Sequence, residues 1–539
     1  MIFNSLTFLA FIAIFLPIYF SLKGNARLWL SLIASYIFYG WWDWRFLTLI
    51  SLSTFIDYYL GAVIRNGNIL NERKTWKAVF GYGALMALLI LGLNFLSKTV
   101  FPKISYLDYW YLPTLGLWLA FLVIYMANKL STAENRGYRM MVVSMVLNLG
   151  FLGVFKYFNF FSASFSQMLG NFGVEASWNT LNIILPVGIS FYTFQSMSYT
   201  IDVYRKEIEP ELNYLKFATF VAFWPQLVAG PIVRAVDFLP QFQKDHDFHW
   251  NRVITGTGRV LWGFFKKCVV ADSLAPFVDQ VFHEPDAFAS VNIVIAVIFY
   301  AFQIYCDFSG YSDIAIGFAR MLGYDFNENF KKPYFSQNFS EFWSRWHISL
   351  SSWLRDYLYI PLGGNRHGKF ATYKNNMLTM LLGGLWHGAN WTFVFWGFLH
   401  GLYLIGQRAL GKPFGTLMNG LRFPSWLKAG VNIALTFFFT CLAWIFFRSA
   451  NFGIAMDVIT GIAGFKGFSM VNVMNKFWVI KGFLLIGILL LIEISDIRQH
   501  WNSVALRQPA FRMVAYATLL LLLAFFGSFG SGVFIYFQF

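Results

Sequence analysis

The sequence predicts an all-α, polytopic integral membrane protein of roughly 11–14 transmembrane helices, with re-entrant or interfacial helices besides. Three observations lead there. Of 539 residues, 58% are hydrophobic and only 12% charged, whereas a soluble domain is about 25% charged. The apolar residues fall in long runs, among them 291–304 and 518–526, and about 20 such residues span a bilayer core. No internal repeat, low-complexity tract or soluble domain interrupts the pattern, so residues 1–539 read as a single membrane domain.

Taken in order, the first segment has no Lys or Arg before Lys23. A secretory signal needs a basic leading region, so this stretch reads as an uncleaved first membrane helix. Basic residues then recur after alternate segments: Lys23 and Arg27, then Arg65, Arg73 and Lys74, then Lys129, Arg136 and Arg139. The positive-inside rule puts these three loops in the cytosol, the loop near Asp43 opposite, and the N-terminus outside. The same rule accounts for the net charge of +15 without nucleic acid, which is not an expected partner. Cys268, Cys306 and Cys441 lie far apart in apolar surroundings. They show no metal-ligand spacing and no complete disulfide framework, and neither a metal nor a bound cofactor is expected.

From about residue 300 to 410 the apolar pattern is repeatedly broken by charge, Gly and Pro. Membranes tolerate such breaks where the backbone is buried in protein or lines a cavity, so the catalytic core is sought here. The spacing predicts a helix within 341–364, which Pro361 and the Gly363–Gly364 pair end. On it Ser344, His347, Ser351 and Arg355 form one polar stripe, with Trp346 among the apolar residues around it. The bland reading is an interfacial amphipathic helix whose histidine bonds a carbonyl. In 381–397, His387 and Asn390 lie three apart on one helical face, after Trp386. An ionisable group inside an apolar stretch is a functional candidate by default; the bland reading is a helix-packing contact. His400 has no polar neighbour on its own face and reads as structural.

Two such histidines suit acyl transfer. A neutral imidazole takes the proton of an acceptor hydroxyl, while a second His, Asn390 or an indole of Trp346 or Trp386 offers a donor to the oxyanion. No G-x-S-x-G elbow is present, which favours direct transfer over a covalent serine intermediate. A third cluster, 303–313, contains Asp307, Tyr311 and Asp313. It reads equally as a cavity wall that orients substrate and as a helix end whose carboxylates meet Lys331 or Lys332. Basic residues around the first histidine, including Lys369 and Lys374, attract a nucleotide-bearing acyl carrier or simply follow the positive-inside rule.

These segments resemble the membrane-bound O-acyltransferase (MBOAT) superfamily, with its bacterial branch of alginate O-acetyltransferase membrane subunits (AlgI-like) the nearest match. The resemblance rests on SLIASYIFYGWW at 31–42, LPVGISFYTFQSMSYTIDVYR at 185–205 and FWPQLVAGPIVR at 223–234. It continues through YCDFSGYSDIAIG at 305–317, FWSRWHISLSSWLRDYLYIPLGG at 342–364 and LLGGLWHGANWTFVFWG at 381–397. It implies the MBOAT fold, a cytosolic acetyl-CoA donor and an acceptor on the outer face, joined by a tunnel. It further implies that His387 is the favoured base and that His347 assists on the donor side. Periplasmic acetyltransferase partners, a polysaccharide acceptor of alginate type, surrounding membrane lipid and a multi-pass place in the bacterial inner membrane follow from the same resemblance. The alternatives are D-alanyl transfer to teichoic acid and a non-catalytic polysaccharide or lipid transporter.

Overall fold

The structure is a computed structural model and describes residues 1–67, 73–100, 111–174, 185–420, 423–465, 467, 476–495, 507–528 and 534–535. Among these residues it is built from helices, turns and loops, without strands. The chain divides into two compact units, one mainly Thr7–Val228 and Ile232–Asp247, the other mainly Phe248–Phe539 with Ile2–Leu6.

The first unit contains α1 (Leu6–Ser21), α2 (Gly24–Asp43), α3 (Phe46–Asn66), α4 (Arg73–Val100) and α5 (Tyr111–Lys129). After these come α6 (Arg136–Leu152), which runs through a π turn into α7 (Phe158–Asn171), and α8 (Ile189–Arg205). Short helices α9 (Tyr214–Ala222), α10 (Trp224–Leu227) and α11 (Ala235–Phe238) follow. Phe55, Ile56, Leu60 and Val63 of α3 pack with Phe121 and Ile124 of α5. Asp57 ties three helices together. It accepts hydrogen bonds from Ser144 Oγ at 2.8 Å and Asn148 Nδ2 at 3.0 Å, both on α6, and Ser144 Oγ lies 3.0 Å from Thr200 Oγ1 on α8. Inside a membrane, a buried carboxylate persists only with such donors around it. The loop at Gly67 lies against the Arg136 guanidinium, so these two basic segments share one end of the unit, as alternate crossings require.

In the second unit, α12 (Trp250–Phe264) passes through a π turn, Phe265–Ala271, into α13 (Asp272–His283). The central helix is α14 (Ser290–Met321), 32 residues long. Then come α15 (Phe339–Arg345), α16 (Ile348–Leu354), α17 (Gly368–His387) and α18 (Trp391–Gly420). The described part closes with α19 (Ser425–Arg448), α20 (Phe452–Ala463), α21 (Lys476–Ile494) and α22 (Pro509–Phe526). Every residue of α14 from 299 to 319 is buried. Glycines let α12 approach it closely: a Cβ on Gly263 would stand 2.6 Å from the Gly310 carbonyl oxygen, and one on Gly310 2.7 Å from that of Gly263. Small residues at a crossing are how membrane helices gain packing without a hydrophobic drive.

Charge pins the same pair of helices. Lys267 Nζ lies 2.6 Å from Asp307 and 2.8 Å from Asp272, while Lys266 Nζ lies 2.5 Å from Asp313. Arg259 bridges Asp313 at 2.8 Å and Glu328 at 2.5 Å. The partners of Asp307 and Asp313 are therefore cations of α12 and its π turn, where loop residues Lys331 and Lys332 were one expectation. Two successive lysines enter the interior at the one place where the helix widens into a π turn.

Among the described residues, six helical stretches are long and apolar enough to cross a membrane: Phe46–Asn66, Arg136–Asn171, Ser290–Met321, Ser425–Arg448, Lys476–Ile494 and Pro509–Phe526. Shorter apolar helices at Leu6–Ser21, Gly116–Lys129 and Phe452–Ala463 accompany them. The sequence expectation of more passes counted apolar segments. Some of those are helices such as α17, which carries Asn375, Asn376 and, as its last residue, His387, and α18, which carries His400.

Removing one partner of a buried pair typically costs 3–5 kcal/mol, because the other charge stays behind unpaired. Lys267→Met is thus expected to destabilise the protein by about 3 kcal/mol, read as a lower thermal midpoint in detergent. Adding Asp307→Asn and Asp272→Asn should restore part of the loss. Equal midpoints for wild type and Lys267→Met would show that the network does not hold the fold.

Candidate active site

The helix expected within 341–364 is broken at its histidine. Asn338 caps α15 by accepting from the Glu341 amide at 2.9 Å. The helix stops at Arg345, Trp346 is extended, and His347 takes φ 42° and ψ 55°. Left-handed backbone costs a residue with a Cβ about 1–2 kcal/mol, so something must hold it there. That something is Asn329. Its carbonyl accepts the Ile348 amide at 2.9 Å, and its Oδ1 accepts the Ser349 amide at 3.2 Å and Ser349 Oγ at 2.9 Å. Its Nδ2 donates to Ser312 Oγ on α14 at 3.1 Å.

Asn329 also sets the tautomer of His347. A backbone amide points at Oδ1, so that atom is the oxygen and only accepts. His347 Nδ1 lies 3.2 Å from it and must therefore carry the proton. Nε2 is left with a lone pair. The ring is fully buried, with Phe308 edge-on at 4.6 Å and Phe330 stacked at 6.3 Å between centroids. His347 sits between two short helices, outside the six candidate spans, and burial pushes its pKa down to about 3. It is a neutral imidazole at physiological pH, able to accept.

His387 arrives from the other direction, as the last residue of α17. The α17–α18 hairpin that carries it is tight: a Cβ on Gly384 would stand 2.3 Å from the Phe393 carbonyl oxygen, and one on Gly397 2.2 Å from that of Met380. His387 is packed by Trp386 at 5.1 Å, Trp396 at 5.0 Å and Phe447 at 5.3 Å. Its ring centroid lies 6.4 Å from that of His347, and Trp386 lies 6.1 Å from His347. The two imidazoles are too far apart for a direct hydrogen bond and close enough for one small group to meet both.

The remaining expected residues divide. Trp346, which precedes His347 in the chain, is buried, stacked on Phe342 at 5.7 Å and 5.1 Å from Trp444. Tyr311 reaches the site indirectly. Its ring packs on Phe534 at 4.8 Å, which lies 6.1 Å from the Phe308 that touches His347. Ser351 is turned to the break itself, its Oγ donating to the Trp346 carbonyl at 3.1 Å. The polar stripe does not form, because the left-handed residue swings the two halves apart. Ser344 is exposed, and Arg355, also exposed, pairs with Asp356 at 2.7 Å. Asn390 is not on a helical face with His387, since the chain turns at residues 388–390. Its Nδ2 donates to the Ala450 carbonyl at 2.7 Å and its Oδ1 accepts the Thr392 amide at 3.1 Å. Asp307 accepts the Ile535 amide at 2.8 Å and pairs with Lys267. Sequence reasoning missed Asn329. It lies in a loop with no apolar periodicity around it, and its importance follows from a tertiary contact.

Two buried imidazoles packed among aromatic rings can pass a proton from hydroxyl to leaving group, and an apolar surround disfavours hydrolysis of an activated acyl donor. Residues 205–452 match the sequence model of MBOAT, the membrane-bound O-acyltransferase family. A probable alginate O-acetylase of Pseudomonas aeruginosa is 36% identical over 93% of this chain and 83% of its own length. A peptidoglycan O-acetyltransferase of Helicobacter pylori is 34% identical, over 70% of this chain and 75% of its own. A teichoic acid D-alanyltransferase of Streptococcus thermophilus is 29% identical over 51% of this chain and 71% of its own. With both histidines inside the matched region, the chain is a multi-pass membrane O-acyltransferase and belongs to the membrane-bound O-acyltransferase family.

Proposed function

We propose that this protein takes an acetyl group from cytosolic acetyl-CoA and passes it across the bacterial inner membrane for O-acetylation of an alginate-like polysaccharide. A separate periplasmic transferase completes the transfer. The observation that carries this reading is the pair of buried histidines, 6.4 Å apart, in a chain 36% identical over 93% of its length to a probable alginate O-acetylase. The D-alanyltransferase relative is less similar and covers only 51% of the chain, so acetyl is favoured over D-alanyl.

In this mechanism an acceptor hydroxyl oxygen attacks the thioester carbonyl carbon while His387 takes the hydroxyl proton. The tetrahedral intermediate collapses, the carbon–sulfur bond breaks, and the same proton goes to the departing thiolate. His347 has no N–H left for the oxyanion, because Nδ1 donates to Asn329. Its lone pair instead accepts from a substrate N–H or O–H and so orients the reactants. Oxyanion donation falls to other N–H groups of the chamber, Trp386 among them.

The test is transfer of labelled acetyl from acetyl-CoA by the protein together with its transferase. His387→Ala is expected to lower kcat by about 10²–10⁴-fold, the usual worth of a general base. Transfer that survives in both His387→Ala and His347→Ala would overturn the assignment. Asn329→Leu frees the tautomer of His347 and should lower kcat by about 10–100-fold, as lost outer-shell orientation does at metal-bound histidines. Because burial holds His347 neutral, with a pKa of about 3, its role should not vary with pH between roughly 5 and 8. A limb of kcat/KM near pH 6.5 that vanishes in His347→Gln contradicts this.

A further inference from the structure

His400 is fully buried on α18, and neither of its ring nitrogens has a hydrogen-bond partner among the described residues. The rings around it are Phe342 at 5.9 Å, Trp343 at 5.1 Å, Trp396 at 4.8 Å and Tyr403 at 5.6 Å. Trp343 Nε1, Trp396 Nε1 and Tyr403 Oη are likewise buried without a partner among those residues. An unsatisfied buried polar group costs about 1–3 kcal/mol. So many in mutual contact point to a missing partner rather than to accident.

The chemistry of these atoms restricts that partner. The indoles only donate, a neutral imidazole donates once and accepts once, and the phenol does either. The partner must bring acceptors for the indoles and a donor for the imidazole. Every surrounding ring is neutral, so a phosphate or carboxylate would enter without a countercharge, at high cost. A cation would leave the indole N–H groups unmet. A neutral amide, with one C=O and one N–H, meets both needs. Position agrees, since Trp396 touches His387 on one side at 5.0 Å and His400 on the other.

We propose that the cluster around His400 is a subsite for the amide-bearing arm of the acyl donor, one aromatic ring away from His387. This rests on the acetyl-thioester reading given above. His400 is then a binding residue rather than an inert core residue.

The experiment compares two donors, acetyl-CoA with its amides and S-ethyl thioacetate with none, by thiol release from full-length protein in membrane vesicles that contain the acceptor machinery. For His400→Phe, which keeps a flat ring and removes both nitrogens, kcat/KM for acetyl-CoA is expected to fall about ten-fold, mostly through KM. The value for S-ethyl thioacetate should be unchanged. The thermal midpoint should hold or rise, because an unsatisfied group has gone; a structural histidine would lower it. Equal losses with both donors, or no loss with either, overturn the subsite while leaving the acetyltransferase reading intact. Wild-type protein that releases thiol from neither donor overturns both. If His400→Phe does not fold, Trp343→Phe carries the test: it removes one donor and should show the same selectivity for the amide-bearing substrate.

Discussion

Lys266 and Lys267 meet Asp313 and Asp307 in the buried interior of the second unit. Neither a lone ammonium nor a lone carboxylate is tolerable there, so helix α12, its π turn and α14 have one acceptable arrangement. The glycines at 263 and 310 allow the backbones close enough for those contacts. Once α14 is held, Ser312 is held, and with it Asn329, the left-handed turn at His347 and the direction of its lone pair. The site is thus the end of a chain of constraints that starts with the buried charges of α12, its π turn and α14.

In the proposed reaction the site would work by what it lacks. Its walls are aromatic, from Phe308 and Phe330 to Trp386, Trp396 and Phe447. In that reaction such an aromatic environment would protect an activated acyl group from hydrolysis, and burial keeps an imidazole neutral, hence able to accept a proton. The same burial makes any unpaired polar atom conspicuous, which is why the cluster around His400 stands out. By contrast Asp57, which ties helices of the first unit together, is met by Ser144 and Asn148.

Hydropathy by itself determined that this is a helical membrane protein, and the motifs determined its family. Hydropathy and motif spacing also singled out the stretch and the two histidines on which the proposed chemistry rests. These properties are local: an apolar run selects lipid whatever surrounds it, and an ionisable group within one stands out against it. Only the tertiary structure decided how the residues are used. Helical periodicity placed Ser344 and Arg355 with His347, but a single left-handed residue separated them. It placed Asn390 with His387, but the chain turns after Gly388 and Asn390 serves the Ala450 carbonyl. Asp307 is claimed by Lys267, from a different helix. Asn329, which fixes the tautomer of His347, sits 18 residues away in a loop. Periodicity assumes an unbroken helix, and a turn held by long-range hydrogen bonds violates that assumption without leaving a mark in the local sequence.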